Sequence, residues 1–128
     1  MTTMEQAVDL ARRYAEVSKT RNLDELDDIF TSEFINHDAH RYTQGLDEFK
    51  AFLVGVWEFI PDLEVTIDTI FADKADDGEP WVGALVTLRG TRADNNQALE
   101  LQEFWLFRIR DGKFAERHFV VDRAALAG

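Results

Sequence analysis

Apolar positions along this chain recur at two different periods, and the change falls near residue 63. Ahead of it they return every three or four residues, as on one face of a helix; beyond it they return every second residue, as on one face of a strand. Between residues 4 and 20, Ala7, Leu10, Ala11, Tyr14, Val17 and Ser18 make the apolar stripe, and Asp9, Arg12, Arg13, Glu16 and Lys19 take the remaining surface, which predicts a first helix. Asn22 with Glu25 three positions later resembles a capping box that opens a short second helix. Its apolar side is Leu23, Leu26, Ile29 and Phe30, and Thr31-Ser32 stops it. An extended run over 34–40 ends in a polar cluster, and Tyr42 to Gly45 reads as a turn. A third helix, 46–60, carries a wide apolar face of Leu46, Phe49, Phe52, Leu53, Val56, Trp57 and Ile60 before Pro61 ends it. Gly55 inside that helix costs about 1 kcal/mol against alanine, which implies close packing at that point.

The period-2 half predicts four long strands. Leu63, Val65 and Ile67 alternate with Glu64, Thr66 and Asp68 in the first, over 63–71, and an acidic loop follows over 72–80. Val82, Ala84, Val86 and Leu88 share a face of the second, over 81–89, and 90–97 is a polar loop. The last two strands flank Asp111-Gly112, a turn dipeptide between apolar runs that signals a tight hairpin. Three amphipathic helices followed by an antiparallel meander make an α+β domain. Laid on one face of a bent sheet, the helices close a cone with a blind cavity suited to a small molecule. A single domain over 1–128 is expected.

One residue breaks the pattern. In the strand from Leu99, residues Leu99, Leu101, Glu103, Trp105, Phe107 and Ile109 share a face, and a single carboxylate stands among five large apolar side chains. A carboxylate so placed is costly unless it is paired, hydrogen-bonded or neutral. Glu103 is therefore either the partner of an arginine or a pocket acid that desolvation keeps protonated. Tyr14, on the apolar stripe of the first helix, is a core ring whose hydroxyl seeks a partner, or a donor into the pocket. Asp38, where a strand emerges toward a loop, is a candidate general base. His37, together with Phe52, Trp57 and Trp105 on the apolar faces, is a candidate substrate contact.

Composition narrows the chemistry further. Ten Phe, three Trp and 45% hydrophobic residues argue against disorder, and the absence of cysteine excludes disulfides, thiolate catalysis and cysteine-based zinc sites. His37, Asp38 and His40 lie within four residues, too close on an extended segment to converge on one ion, so neither a metal nor another cofactor is expected. A net charge of −11 repels phosphate backbones, which argues against nucleic acid as a partner. No apolar run approaches the roughly 20 residues of a membrane span, and the first residues lack a signal-peptide pattern. A cytoplasmic protein with a small apolar ligand is the expectation.

Over residues 5–123 the chain resembles the nuclear-transport-factor-2-like (NTF2-like) superfamily of cone-shaped α+β domains, and two groups within it. The SnoaL-like polyketide cyclases are matched by His37-Asp38, Gly45, Phe59-Ile60-Pro61-Asp62-Leu63, Arg89-Gly90-Thr91, the run from Phe107 to Glu116, and Asp122. That resemblance implies an acid/base role for Asp122, with His118 two turns of alternation away on the same strand face, although the group usually carries Trp at the place of His118. The ketosteroid isomerases are matched by Tyr14, Asp38 and Glu103, with Ala39 where a proline usually follows and Glu103 where an aspartate is usual. That resemblance implies that Asp38 moves a proton α to a carbonyl while Tyr14 and a protonated acid hold the enolate oxygen.

Three functions fit. The first is a cofactor-free acid/base enzyme (isomerase, cyclase, or related lyase or hydrolase) acting on a small apolar carbonyl or epoxide compound. The second is a binding module of the same shape without chemistry. The third is an interaction domain with a filled cavity, paired as a homodimer through an outer sheet face that carries Phe104, Leu106, Phe119 and Val121.

Overall fold

The structure, a computed structural model, describes residues 2–38, 42–74, 76 and 78–121. Helix α1 spans Met4–Thr20 and opens with a reciprocal cap, in which the Thr3 hydroxyl accepts from the Gln6 N–H and the Gln6 side chain accepts from the Thr3 N–H. It buries the stripe expected of it, Ala7, Leu10, Ala11, Tyr14, Val17 and Ser18. The second helical segment is shorter than its sequence pattern. A single 3₁₀ turn, Leu23–Glu25, leads into α2, Leu26–Ile29. Asn22 caps it through the Asp24 N–H, while Glu25 turns away from the cap to pair with Arg13 at 2.9 Å. Thr31-Ser32 is not its stop. The chain is already strand at Phe30, because β1, Phe30–His37, finds a ladder partner there in the last strand. The expected turn at 42–45 contains a two-residue strand, β2, Thr43–Gln44, paired antiparallel with β1.

Helix α3, Leu46–Phe59, buries Leu46, Phe49 and Leu53. Gly55 is not a close-packing site: a Cβ built there meets nothing within 4 Å. Strands β3 (Glu64–Lys74), β4 (Pro80–Thr91), β5 (Ala98–Arg110) and β6 (Lys113–Val121) follow. The sheet order is β2-β1-β6-β5-β4-β3, antiparallel except for the parallel β1–β6 pair. The helices cover one face of this curved, open sheet, and the result is the α+β cone.

Bulges steer the faces. In β3 the register shifts between Ile67 and Thr69, so the inward alternation of Val65 and Ile67 resumes at Ile70 and Ala72, and Phe71 turns outward. In the β5–β6 hairpin the register shifts after Arg108. Ile109 pairs with Phe114 and Arg108 with Glu116, so Ala115 is the extra residue, and Arg117, Phe119 and Val121 point inward. Phe119 and Val121 are thus cavity-side residues, not part of the outer face. The outward row is Glu116, His118 and Val120. The core beneath the helices is aromatic: Phe30, Phe34, Phe49, Phe107 and Phe114 are all buried, with Phe107 and Phe114 stacked at 4.0 Å.

Candidate active site

The inner face of β5 places Glu103 and Trp105 two residues apart, and the Trp105 indole N–H donates to Glu103 Oε1 at 2.8 Å. Across the ladders Glu103 faces Val86 on one side and Val121 on the other, so its setting is largely apolar. Helix α1 lays Tyr14 over the same region, its ring 5.0 Å from that of Trp105 and 5.3 Å from that of Phe30. From β6 comes Arg117, 3% exposed and ringed by Phe119, Phe49, Tyr14 and Trp105 at 4.3, 5.2, 5.8 and 5.9 Å. Aromatic faces are favourable surroundings for a guanidinium taken out of water. Its Nε–H donates to Asn36 Oδ1 at 2.8 Å and its Nη1–H to the Tyr14 phenol oxygen at 3.2 Å.

These residues meet at a cavity of about 60 Å³ between α1, α3 and the inner face of β3 to β6. Ala15, Val17, Phe52, Leu53, Val56, Trp57, Leu63, Val65 and Leu88 make its apolar wall, and Tyr14, Ser18, Glu103, Trp105 and Arg117 bring the polar atoms. The Ser18 hydroxyl is occupied, donating to the Ala15 carbonyl at 2.7 Å. Burial pushes the Tyr14 phenol above the ordinary tyrosine range; the negative charge of Glu103 acts in the same direction, and the Arg117 cation opposes both. Tyr14 is therefore a neutral phenol near neutral pH. Its oxygen accepts from Arg117, which leaves the phenolic proton to be donated elsewhere.

Of the candidates read from the sequence, Tyr14, Glu103, Phe52, Trp57 and Trp105 converge on this cavity. Asp38 does not line it, though it follows directly on β1 and is half-buried. His37 lies on the outer face, in register with His118, with the two rings stacked at 4.3 Å. His37 Nε2 meets Glu116 Oε1 there at 3.2 Å. His118 therefore points away from the cavity, for the same reason that Arg117 points into it: the bulge at Ala115 displaces the alternation by one. Asp122 and His40 lie outside the described residues. Among the described residues no three His, Asp or Glu side chains gather as a metal site. The residue missed in the sequence is Arg117. The signal was a lone charge alternating with Phe119 and Val121, hidden by the bulge.

The sequence profile of the SnoaL-like polyketide cyclases matches residues 8–128. The chain belongs to the SnoaL-like polyketide cyclase family. Solved structures share this SnoaL-like fold. A Jannaschia sp. CCS1 protein classed as a SnoaL-like polyketide cyclase superposes with a TM-score of 0.85 at 19% identity, over 98% of this chain and 92% of that one. TsrD from Streptomyces laurentii gives 0.85 at 16% identity, over 98% and 95%. An LEH-like epoxide hydrolase of M. tuberculosis gives 0.76 at 15% identity, over 95% and 86%. No curated protein sequence matches.

Proposed function

We propose that this chain is a cofactor-independent acid/base enzyme that moves a proton on a small, largely apolar compound bearing a carbonyl or epoxide oxygen. The observation that carries the reading is the Arg117–Tyr14 hydrogen bond beside Glu103 in one apolar cavity. A ligand oxygen accepts the phenolic proton of Tyr14 in a hydrogen bond, and Arg117 offsets the negative charge that develops there. Glu103, held by the Trp105 indole, takes the proton from the carbon next to the carbonyl and returns it elsewhere on the ligand. This reading gives Glu103 the role of base that the isomerase resemblance gives Asp38. Ring closure through an enolate and opening of an epoxide both call for such a donor and carboxylate, which agrees with a polyketide cyclase and an epoxide hydrolase on the same fold.

The test needs no knowledge of the natural substrate. Small cyclic ketones are incubated in D₂O, and loss of their α-protons is followed by proton NMR. The expected result is exchange above the buffer rate that falls about 10²- to 10³-fold with Tyr14→Phe, is abolished by Glu103→Gln and is little changed by Asp38→Asn. Ketones that bind without exchanging would overturn catalysis in favour of a binding module. The small volume of the cavity favours instead an interaction domain whose own side chains fill the cone: about 60 Å³ holds a few waters, whereas ligand pockets run to roughly 300–1,000 Å³.

The same reading takes the outer sheet face as the pairing surface for a second copy. Val120 and Phe71 stand exposed there, 71% and 51% accessible, beside Leu85, Phe104 and Leu106.

A further inference from the structure

Asn36 is fully buried on the inner face of β1, and Arg117 decides which way its amide points. A guanidinium only donates, so the atom facing Arg117 Nε must be the carbonyl oxygen, Oδ1. The amide nitrogen, Nδ2, is then forced to the other side, where it is buried and has no hydrogen-bond partner among the described residues. Thr43 is the ladder partner of Asn36 across β1–β2, so the two side chains share a face as nearest neighbours. Thr43 is 5% exposed, and its Oγ1 is likewise buried and unpartnered. Two ladder-paired side chains that each bury a polar atom without a partner are a rare and costly arrangement, and proteins that keep one satisfy it with a water or a ligand atom.

We propose that Asn36 Nδ2 and Thr43 Oγ1 together bind one oxygen atom, as a second polar subsite joined to Tyr14 through Arg117. The chemistry is that of an oxygen acceptor: it takes the amide N–H of Asn36 and exchanges a hydrogen bond with the Thr43 hydroxyl, which can donate or accept. A buried water supplies such an atom. Occupancy also strengthens the site described above, since an amide that donates through Nδ2 is a better acceptor at Oδ1 and so holds the Arg117 guanidinium more firmly against Tyr14. The subsite stands apart from catalysis. Neither Asn36 nor Thr43 lines the cavity, and the oxygen is expected there whether or not Glu103 moves a proton.

Thr43→Val decides it, because valine keeps the shape and removes only the hydroxyl. If Oγ1 holds an oxygen atom, the substitution breaks a buried hydrogen bond and leaves that atom short of a partner, and Tm falls by about 4 °C. If Oγ1 is unpartnered in solution, removing it relieves a desolvated hydroxyl and Tm stays or rises, which overturns the proposal. A high-resolution crystal structure of the wild type adds an independent check. Oxygen density within about 3.2 Å of both atoms supports the subsite; protein atoms satisfying both, or a dry gap, overturn it.

Discussion

A guanidinium as buried as Arg117 is stable only while its N–H groups and its charge have partners, and here they are an amide oxygen, a phenol oxygen and four aromatic faces. Arg117→Met keeps the bulk but leaves Asn36 Oδ1 and the Tyr14 oxygen without their donor. Thermal unfolding is expected to register a loss of about 1–3 kcal/mol. The same variant has a spectroscopic consequence whose sign follows from the charges around Tyr14. Burial and Glu103 raise the phenol's pKa, and Arg117 alone among the named groups lowers it. With Tyr42→Phe leaving Tyr14 as the single tyrosine, tyrosinate absorbance is expected to appear above the ordinary phenol range. Adding Arg117→Met moves it higher still, and a shift downward would show that Arg117 does not face the ring. The linkage runs the same way: a folded-state pKa above the unfolded one gives stability that is complete below the ordinary tyrosine range and fades as pH rises through the folded value.

At the scale of elements, two glycines make opposite predictions. Gly55 lies inside α3 with open space where its Cβ would be, so Gly55→Ala is expected to stabilise by about 0.5–1 kcal/mol, through helix propensity and a less flexible unfolded chain. At Gly83 on β4 a Cβ runs into the ring of Phe71, which lies across the glycine on the outer face, so Gly83→Ala is expected to lower Tm. The turn from α3 into β3 is held by Asp62, whose carboxylate accepts from the Thr91 N–H at 2.7 Å and from the Thr91 hydroxyl at 2.9 Å. Those bonds hold its pKa below the ordinary aspartate range. Its contribution is thus present at neutral pH and is lost as pH falls through the depressed value. The Tm gap between wild type and Asp62→Ala is expected to close on acidification, and a gap independent of pH would refute that account. These elements also show how far the sequence could be read. Strand parity located Glu103 because β4 and β5 pair without a register shift between Thr91 and Trp81, and helix period located Tyr14 because α1 is regular from end to end. Parity failed one strand later. The extra residue Ala115 reverses the faces, so His118, which looked like a site residue, stacks on His37 outside, and Arg117, which drew no notice, enters the cavity. Helix α2 was overread because Phe30 continues the helical spacing, yet its backbone is better satisfied against Phe114 of β6.

For the whole molecule the open question is which surface meets solvent. The cone directs its helices to one side and leaves the other side of the sheet uncovered, with the row Leu85, Phe104 and Val120 running across three strands and Phe71 beside it. A net charge of −11 opposes self-association at long range, so a pairing surface must rest on apolar area concentrated in one place. This face has that character, since Leu85, Phe104, Leu106, Val120 and Phe71 lie together on it. A two-fold arrangement would bring each row against its own copy, as isologous interfaces require. Val120 is the residue to change, because at 71% exposure it contributes little to the monomer's own core. Val120→Lys places two like charges at the middle of the joined faces. Sedimentation velocity is expected to show a dimer for the wild type and a monomer for the variant, with Tm measured at low concentration unchanged. A wild type that sediments as a monomer at all concentrations would remove the second copy from this face, while leaving the Tyr14–Arg117–Glu103 cavity, which lies wholly within one chain, untouched.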